Sequence, residues 1–363
     1  MTRTIYFVGA GATAHRHAEA LEHLPRGDRP EIAAADPNGE TLESFSDVVP
    51  DARLYDSSEA MLEEPVHPDD FVIVCAPPFV HHSETLAALE SGRHVLCEKP
   101  LAVTQPEAVD MVETAKANDR LLGACTCRHY GTPGTRHVTE LIADGAIGDP
   151  YHVTWVHRSQ RGRPGIEYQP ASKWFLDRSK SGGGIVMDWG PYDFAALYDL
   201  LSPDVVAVRD AWTAQPETGV DPTDLTFDVE THGGASLVYR TGTDEVNVTY
   251  ERASGTHGEE RWVAEIEGTR GSIRWDWTDV DEAEVTLSSD DDGTVTEEST
   301  TVSGTEPFGP HQRPLVFFDR RIRGEDAPIL TNEDALFTFS TIQAIYDCAA
   351  SGEPQEVRPH ALE

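Results

Sequence analysis

In the stretch from His94 to Val103, HVLCEKPLAV, a lysine stands between Glu98 and Pro100. The chain holds only four lysines, Lys99, Lys116, Lys173 and Lys180, against 24 arginines, so a lysine kept here asks for a reason. Pro100 disfavours helical backbone at Lys99 and so fixes the direction in which its side chain leaves the strand end. An ammonium held there can stabilise an alkoxide as it develops. A second group lies in SKSGGGIVMDWGPYDFAALYDLL, residues 179–201, where Asp188 and Tyr192 are four apart and share one face of a helix. Asp193 points elsewhere and caps or pairs. A phenol, with a reference pKa of about 10, is a poor base unless a nearby cation stabilises its phenolate. Taken by itself Tyr192 reads as a packed aromatic; a lysine cation within several ångströms would supply that stabilisation.

A third group is the turn VGAGATA, directly after a strand and opening a helix. Gly9 permits the tight turn, Gly11 lets the backbone approach a pyrophosphate, and Ala14 is small enough for the helix to pack on the strand. The amides that follow, at Ala12 and Thr13, face the diphosphate at the helix start. Asp36, at the end of the second strand, accepts hydrogen bonds from both hydroxyls of an adenosine ribose and repels a 2′-phosphate, so NAD is expected, with NADP left open. CAPPFVHH follows the fourth strand and LCEKPLA the fifth. Ala76, Pro77, His81, Glu98 and Lys99 therefore lie at the carboxyl edge of the sheet, where such a fold binds its cofactor.

One basic cluster interrupts an acidic chain. Arg158, Arg161 and Arg163 fall within HRSQRGRPG, and Lys173 and Trp174 follow. Two readings stand. The segment crosses the mouth of the site and binds a hydroxyl-rich or anionic substrate, with Trp155 or Trp174 stacking on a sugar face, or it forms salt bridges to acidic neighbours or another subunit. Arg128 and His129 are weaker substrate candidates, and His15 and His17 are expected to be solvated.

The elements that must position these groups read as follows. Strands at Thr4 to Val8, Glu31 to Ala35, Phe71 to Cys75, Arg93 to Cys97 and Leu121 to Cys125 alternate with helices at Gly11 to Leu24, His81 to Glu90 and Gln105 to Asn118. Such alternation means βαβ units and a doubly wound parallel sheet. After about residue 122 the texture changes. A helix at Pro133 to Ala143 leads to a strand at Tyr151 to His157, and a run of strands begins near Val205. In GSIRWDW, Ile273, Trp275 and Trp277 share one face and Ser272, Arg274 and Asp276 the other. The fold class is therefore α/β: a parallel domain at 1–122, then at 123–363 an α+β domain with a large, mainly antiparallel open sheet. The acidic stretch from Asp279 to Thr300 reads as a solvated loop with a hairpin at SSDDDGT.

The 363 residues carry 64 acidic and 28 basic side chains, a formal net charge of -36. Such a chain repels nucleic acid and anionic membranes and is expected to bind neither. Its acid-rich, lysine-poor composition resembles that of cytosolic proteins from extreme halophiles, where molar salt shortens the Debye length to about 3 Å. Five scattered cysteines suggest free thiols in a reducing compartment. Cys125 and Cys127 lack zinc-ligand spacing, and no metal is expected. The chain enters an apolar strand at once, leaving no room for a signal peptide, and no apolar run approaches a membrane span, so a cytoplasmic protein is expected.

Together the G-x-G-x-x-A turn, the A-P-P-x-x-H stretch ending in His81, the E-K-P at 98–100 and the glycine–aspartate pattern from Gly183 to Asp193 resemble the Gfo/Idh/MocA oxidoreductases. The likeness extends to GTRGSIRW and to a closing helix at Asp334 to Ser351. It implies a Rossmann domain followed by an α/β domain whose open sheet forms the oligomer interface, hence a homodimer or homotetramer. It also implies Lys99, Asp188 and Tyr192 as the catalytic set, with tyrosine where inositol dehydrogenase-like members carry histidine. The reaction implied is hydride transfer between a sugar, first C1 of a pyranose, and the nicotinamide. An NAD-dependent glycoside hydrolase and a non-catalytic sugar sensor are the alternatives.

Overall fold

The structure, a computed structural model, describes residues 2–25, 27 and 29–359. The outermost residues of the two expected domains, 1 and 360–363, lie outside the described residues. Two compact units emerge. Among the described residues, those up to Arg128 group with Pro307–Leu336, and His129–Glu306 groups with 337–359.

In the first unit the order is β1 Thr4–Val8, α1 Ala12–Ala18, β2 Glu31–Ala35, α2 Gly39–Val48, β3 Arg53–Tyr55, α3 Ser58–Leu62, β4 Phe71–Val74, α4 His81–Glu90, β5 His94–Cys97, α5 Gln105–Ala117 and β6 Leu122–Ala124. The six strands form one sheet in the order β3-β2-β1-β4-β5-β6, every pair parallel, which is the Rossmann arrangement. Its central strands are buried on both faces, which is why TIYFV and FVIV are continuous apolar runs rather than alternating ones. The helix expected at Gly11 to Leu24 is α up to Ala18 and tightens to a 3-10 helix over Glu19–His23.

The expected boundary at 122/123 placed everything later in the second domain, whereas Pro307–Leu336 groups with the first unit. The physical reason is the exposed edge of β6. Leu330 O accepts from Ala124 N at 3.1 Å, and Asn332 Oδ1 accepts from Leu122 N at 2.7 Å. Gly123, with no side chain, receives the Phe318 ring, which a Cβ there would meet at 2.7 Å.

The second unit begins with α6 Pro133–Ala143 and β7 Pro150–Ser159, passes through α7 Arg178–Ser181 to α8 Ile185–Leu201, and continues with β8 Val205–Ala214, β9 His232–Thr241, β10 Asp244–Ser254, β11 Arg261–Gly268, β12 Gly271–Trp275, β13 Glu282–Asp291 and β14 Thr294–Ser303. After α9 Arg313–Ile322 in the first unit, α10 Asn332–Ser351 and β15 Gln355–Val357 close the chain. The nine-stranded sheet runs β14-β13-β12-β11-β7-β10-β9-β8-β15, antiparallel except where β10 lies parallel to β7. Helices α6 and α8 cover one face. Toward α8 point Trp155 and His157 of β7 with Tyr250 and Arg252 of β10; by alternation Val156, Arg158 and Glu251 point to the opposite face.

The acidic stretch, expected as a solvated loop with a hairpin at SSDDDGT, does turn there, but its strands are far longer than expected, paired from Glu282↔Ser303 to Asp291↔Thr294. Ala283 and Val285 are buried while Glu284 is exposed, a period of two that the high charge masked. Its turn, Asp292 and Gly293, has φ of 51° and 82°, the conformation a two-residue hairpin requires.

Candidate active site

The glycine turn is built as its residues demand. Gly9 has φ 84°, and a Cβ there would lie 3.0 Å from Ala76 N, so the loop after β4 closes on it. A Cβ at Gly11 would meet nothing within 4 Å, and the start of α1 has no side-chain cap. Ala12 is exposed and Thr13 half-exposed, while Ala14 is buried. Asp36 Oδ2 accepts from Ala10 N and Oδ1 from Asn38 N, both at 2.9 Å, which fixes the carboxylate beside the turn. An open backbone cradle with a fixed carboxylate at the next strand end fits the diphosphate and ribose of a dinucleotide.

His81 serves this edge indirectly. It is fully buried, with Nδ1 2.8 Å from Pro100 O and Nε2 2.9 Å from Ala76 O, so it lies between the loops after β4 and β5. Burial lowers its pKa, which keeps the imidazole neutral. Pro77 ends the loop as the cap of a 3-10 turn over Pro78–Val80.

At the end of β5 the Lys99–Pro100 peptide is cis, and Lys99 is half-buried. Glu98 is buried beside it. Its Oε2 accepts from Lys99 N at 3.1 Å, while Oε1 lies 2.7 Å from His17 Nε2 and is ion-paired with Arg128. Burial alone would raise this carboxyl's pKa, but the Arg128 charge and the His17 hydrogen bond hold it well below the ordinary range. One expectation changes here: His17 is not solvated but fully buried. Glu98 and Arg128, expected at the cofactor and the substrate, form an internal ion pair with each other. Polar atoms of His17, Glu98 and Cys125 lie within 4.8 Å of one another, yet Glu98 already carries Arg128, and burial pushes the Cys125 thiol far up.

In the second unit Asp188 and Tyr192 lie on the first turns of α8, and both are buried. The helix can start where it does because the three preceding residues are glycines. A Cβ on Gly184 would lie 1.7 Å from Glu230 O and one on Gly183 2.2 Å from Tyr346 Oη. Glu230 then accepts from Gly184 N, Val186 N and Tyr346 Oη. Asp193 pairs, as expected: it accepts from Trp155 Nε1 at 2.9 Å, Tyr250 Oη at 3.0 Å and Arg252 Nε at 2.9 Å, with a second bond from Arg252.

Tyr192 is enclosed by rings that the spacing did not single out as a group. His129 meets it edge-on at 5.1 Å between centroids, Trp189 at 5.6 Å, and His129 also contacts Trp189 and Trp277. His129 is held by its Nδ1, 3.0 Å from Thr278 O. The one signal available was Trp189 inside M-D-W-G-P-Y, between the two acid–base candidates.

The basic cluster resolves toward salt bridges. Arg163 is 1% exposed and bonded to Glu167, Asp221 and Thr218. Arg158 faces away from α8 and Tyr192, with Nε 3.4 Å from Glu251 Oε1. Arg161 is exposed and donates to Gln160 O, Lys173 donates to Gly165 O, and Trp174 stacks on Phe175. Trp155 is buried, its indole N–H bonded to Asp193, so it supports α8 and offers no open face for stacking on a sugar.

Residues 3–125 match the model of an oxidoreductase family with an NAD-binding Rossmann fold, and residues 135–274 match the C-terminal domain of the GFO/IDH/MocA group. D-glucoside 3-dehydrogenase of Escherichia coli (strain K12) is 32% identical over 206 residues, a little over half of either chain at 56%. A 1,5-anhydro-D-fructose reductase of Ensifer adhaerens is 28% identical over 300 residues, 79% of this chain and 80% of that one. The structure of levoglucosan dehydrogenase in complex with NADH and levoglucosan has the same fold, with a TM-score of 0.77 at 20% identity over 98% of this chain and 100% of that one. With both of its units matched, this chain belongs to the Gfo/Idh/MocA family of oxidoreductases.

Proposed function

We propose that the protein is a sugar dehydrogenase that oxidises a CH–OH group of an aldose or related polyhydroxy compound, C1 of a pyranose first among them, with NAD. The observation that carries this reading is the end of β5. A half-buried lysine stands at the carboxyl edge of the parallel sheet, and its backbone is fixed by a buried carboxylate that Arg128 and His17 already hold. The names of the two relatives and of the levoglucosan complex, all sugar enzymes, support the substrate class.

When bound, NAD supplies the hydride acceptor at its nicotinamide ring. Tyr192 takes the proton of the substrate hydroxyl, beside the rings of His129 and Trp189. The Lys99 ammonium stabilises the phenolate and the developing alkoxide, and Asp188 orients the substrate or the lysine. Asp36 accepts from the ribose hydroxyls and disfavours a 2′-phosphate.

The protein forms a homodimer or homotetramer through the nine-stranded sheet and works in the cytoplasm of a cell with high internal salt. The acidic, lysine-poor composition supports the salt, and among the described residues no helix is long and apolar enough to cross a membrane. The test is a panel of aldoses, sugar acids and polyols with NAD or NADP in concentrated KCl, followed by nicotinamide absorbance. NADH should accumulate with at least one aldose; cofactor binding without net reduction on any sugar overturns the dehydrogenase reading.

A further inference from the structure

The ladder between β11 and β12 stops early. Their pairing runs only from Glu267↔Ser272 to Glu265↔Arg274. Beyond that point β11 stays on β7 as far as Arg261↔Arg158, while β12 stays on β13 through Trp275↔Val285, and Asp276 N donates to Glu284 O at 3.2 Å. The two strands part, and a cavity of about 260 Å³ opens between Trp262–Ala264 on one bank and Trp275–Thr278 on the other, with Trp155–His157 beside it.

Its lining has a consistent chemistry. Trp262 is 62% exposed, backed by the His157 imidazole at 3.6 Å between centroids. Trp277 packs at 4.8 Å on Trp155. Burial, and then the Arg252 charge, lower the His157 pKa to about 3, so this backing ring stays neutral. From the opposite face of the sheet, across the gap between the strands, Arg274, Asp276, Glu284 and Thr286 also line the cavity. An exposed flat apolar face, with carboxylates, a guanidinium and a hydroxyl reached through the gap, complements a sugar, whose C–H faces are apolar and whose edge is a row of hydroxyls.

The cleft wall is two ring contacts from Tyr192. His157 contacts Trp189 at 5.9 Å, and Trp189 contacts Tyr192 at 5.6 Å; Trp277 contacts His129 at 5.8 Å, and His129 contacts Tyr192 at 5.1 Å. By either route one ring separates the cleft wall from the phenol. We propose that the parting of β11 and β12 is a subsite for a second sugar ring, so that the favoured substrates are disaccharides or longer saccharides with a free reducing end. The inference rests on the dehydrogenase reading for its reaction, and on the cleft alone for its binding.

The test compares glucose with cellobiose, maltose and xylobiose, using NAD and wild-type protein, Trp262→Ala and Trp262→Phe. Because Trp262 is exposed, its removal leaves the fold in place. Trp262→Ala should raise the KM of the preferred disaccharide roughly tenfold while the KM for glucose moves less than about twofold, and Trp262→Phe should keep most of the wild-type value. An equal shift for both sugars, no shift for either, or a change in oligomeric mass with the alanine variant overturns the subsite. If no sugar is oxidised, the dehydrogenase reading fails and calorimetric titration of the three disaccharides still decides: heat of binding that Trp262→Ala removes supports the subsite, and no heat with any of them overturns it.

Discussion

The end of β5 and the loop after β7 both set basic residues in a very acidic chain, and they use them in opposite ways. In the loop the charge is consumed internally: Arg163 is buried with its guanidinium on Glu167, Asp221 and Thr218. At β5 the buried Glu98 carboxylate is held by Arg128 and His17 and accepts from the Lys99 main-chain N–H, and the Lys99 charge helps to hold its carboxyl low. A buried cation surrounded by acids holds a loop together, whereas Lys99 is only half-buried and stands at the carboxyl edge of the sheet, where this fold binds its ligand. Rarity of a residue type, which both regions share, does not tell the two cases apart.

The contrast can be broken first at Lys99. Lys99→Ala should lower turnover by roughly 10³-fold, the order expected for loss of an acid–base partner, while the NAD dissociation constant from fluorescence titration changes less than about twofold. Loss of cofactor binding instead would make Lys99 a cofactor ligand. Next comes its support. Glu98→Gln removes the counter-charge from Arg128 and should cost about 3 kcal/mol in urea melts at neutral pH. Because the Glu98 carboxyl is held below its ordinary value of 4.5, its contribution is fully present above that pH and is lost as pH falls through the lowered value. Melts of wild type and variant should therefore converge on acidification; curves that stay parallel would sever Glu98 from the ion pair.

Arg163→Ala should cost about 2 kcal/mol, less than a fully buried pair because Glu167 and Asp221 are partly exposed, with kcat and KM unchanged. A rise in KM without a fall in stability would return the loop to the substrate. The smallest effect belongs to Arg158. Pointing away from Tyr192 and paired with Glu251, Arg158→Ala should move KM by less than about twofold, as befits a partly exposed ion pair.

Much of the first unit was legible. β2 spans Glu31–Ala35 as read, because a strand buried on both faces leaves an unbroken apolar run bounded by polar residues. Helix α4, His81–Glu90, was also read with its bounds. The turn of the β13–β14 hairpin at SSDDDGT was legible too, but the length of its strands was not, since their exposed face carries so many acids and hydroxyls that alternation disappears beneath composition. The return of Leu330 and Asn332 to the edge of β6 is a long-range pairing, and nothing local announces it. At the site, the tight turn at Gly9 and the placing of Asp36 just after β2, beside that turn, were legible because backbone shape sets them. The burial of His17 against Glu98 was not, because it depends on α1 meeting the end of β5. Trp155 and Arg158 were grouped by proximity along the chain, which ignores that the first faces α8 and the second does not.

Asp193 holds α8 to β7 and β10 through Trp155, Tyr250 and Arg252, and Tyr192 is the residue just before it. Successive side chains leave a helix about 100° apart, so pinning one azimuth dictates the other. The grip and the working tool thus sit side by side without sharing atoms. A lineage can swap the tool for a different ring and keep its aim, while any change to the grip would swing every tool at once.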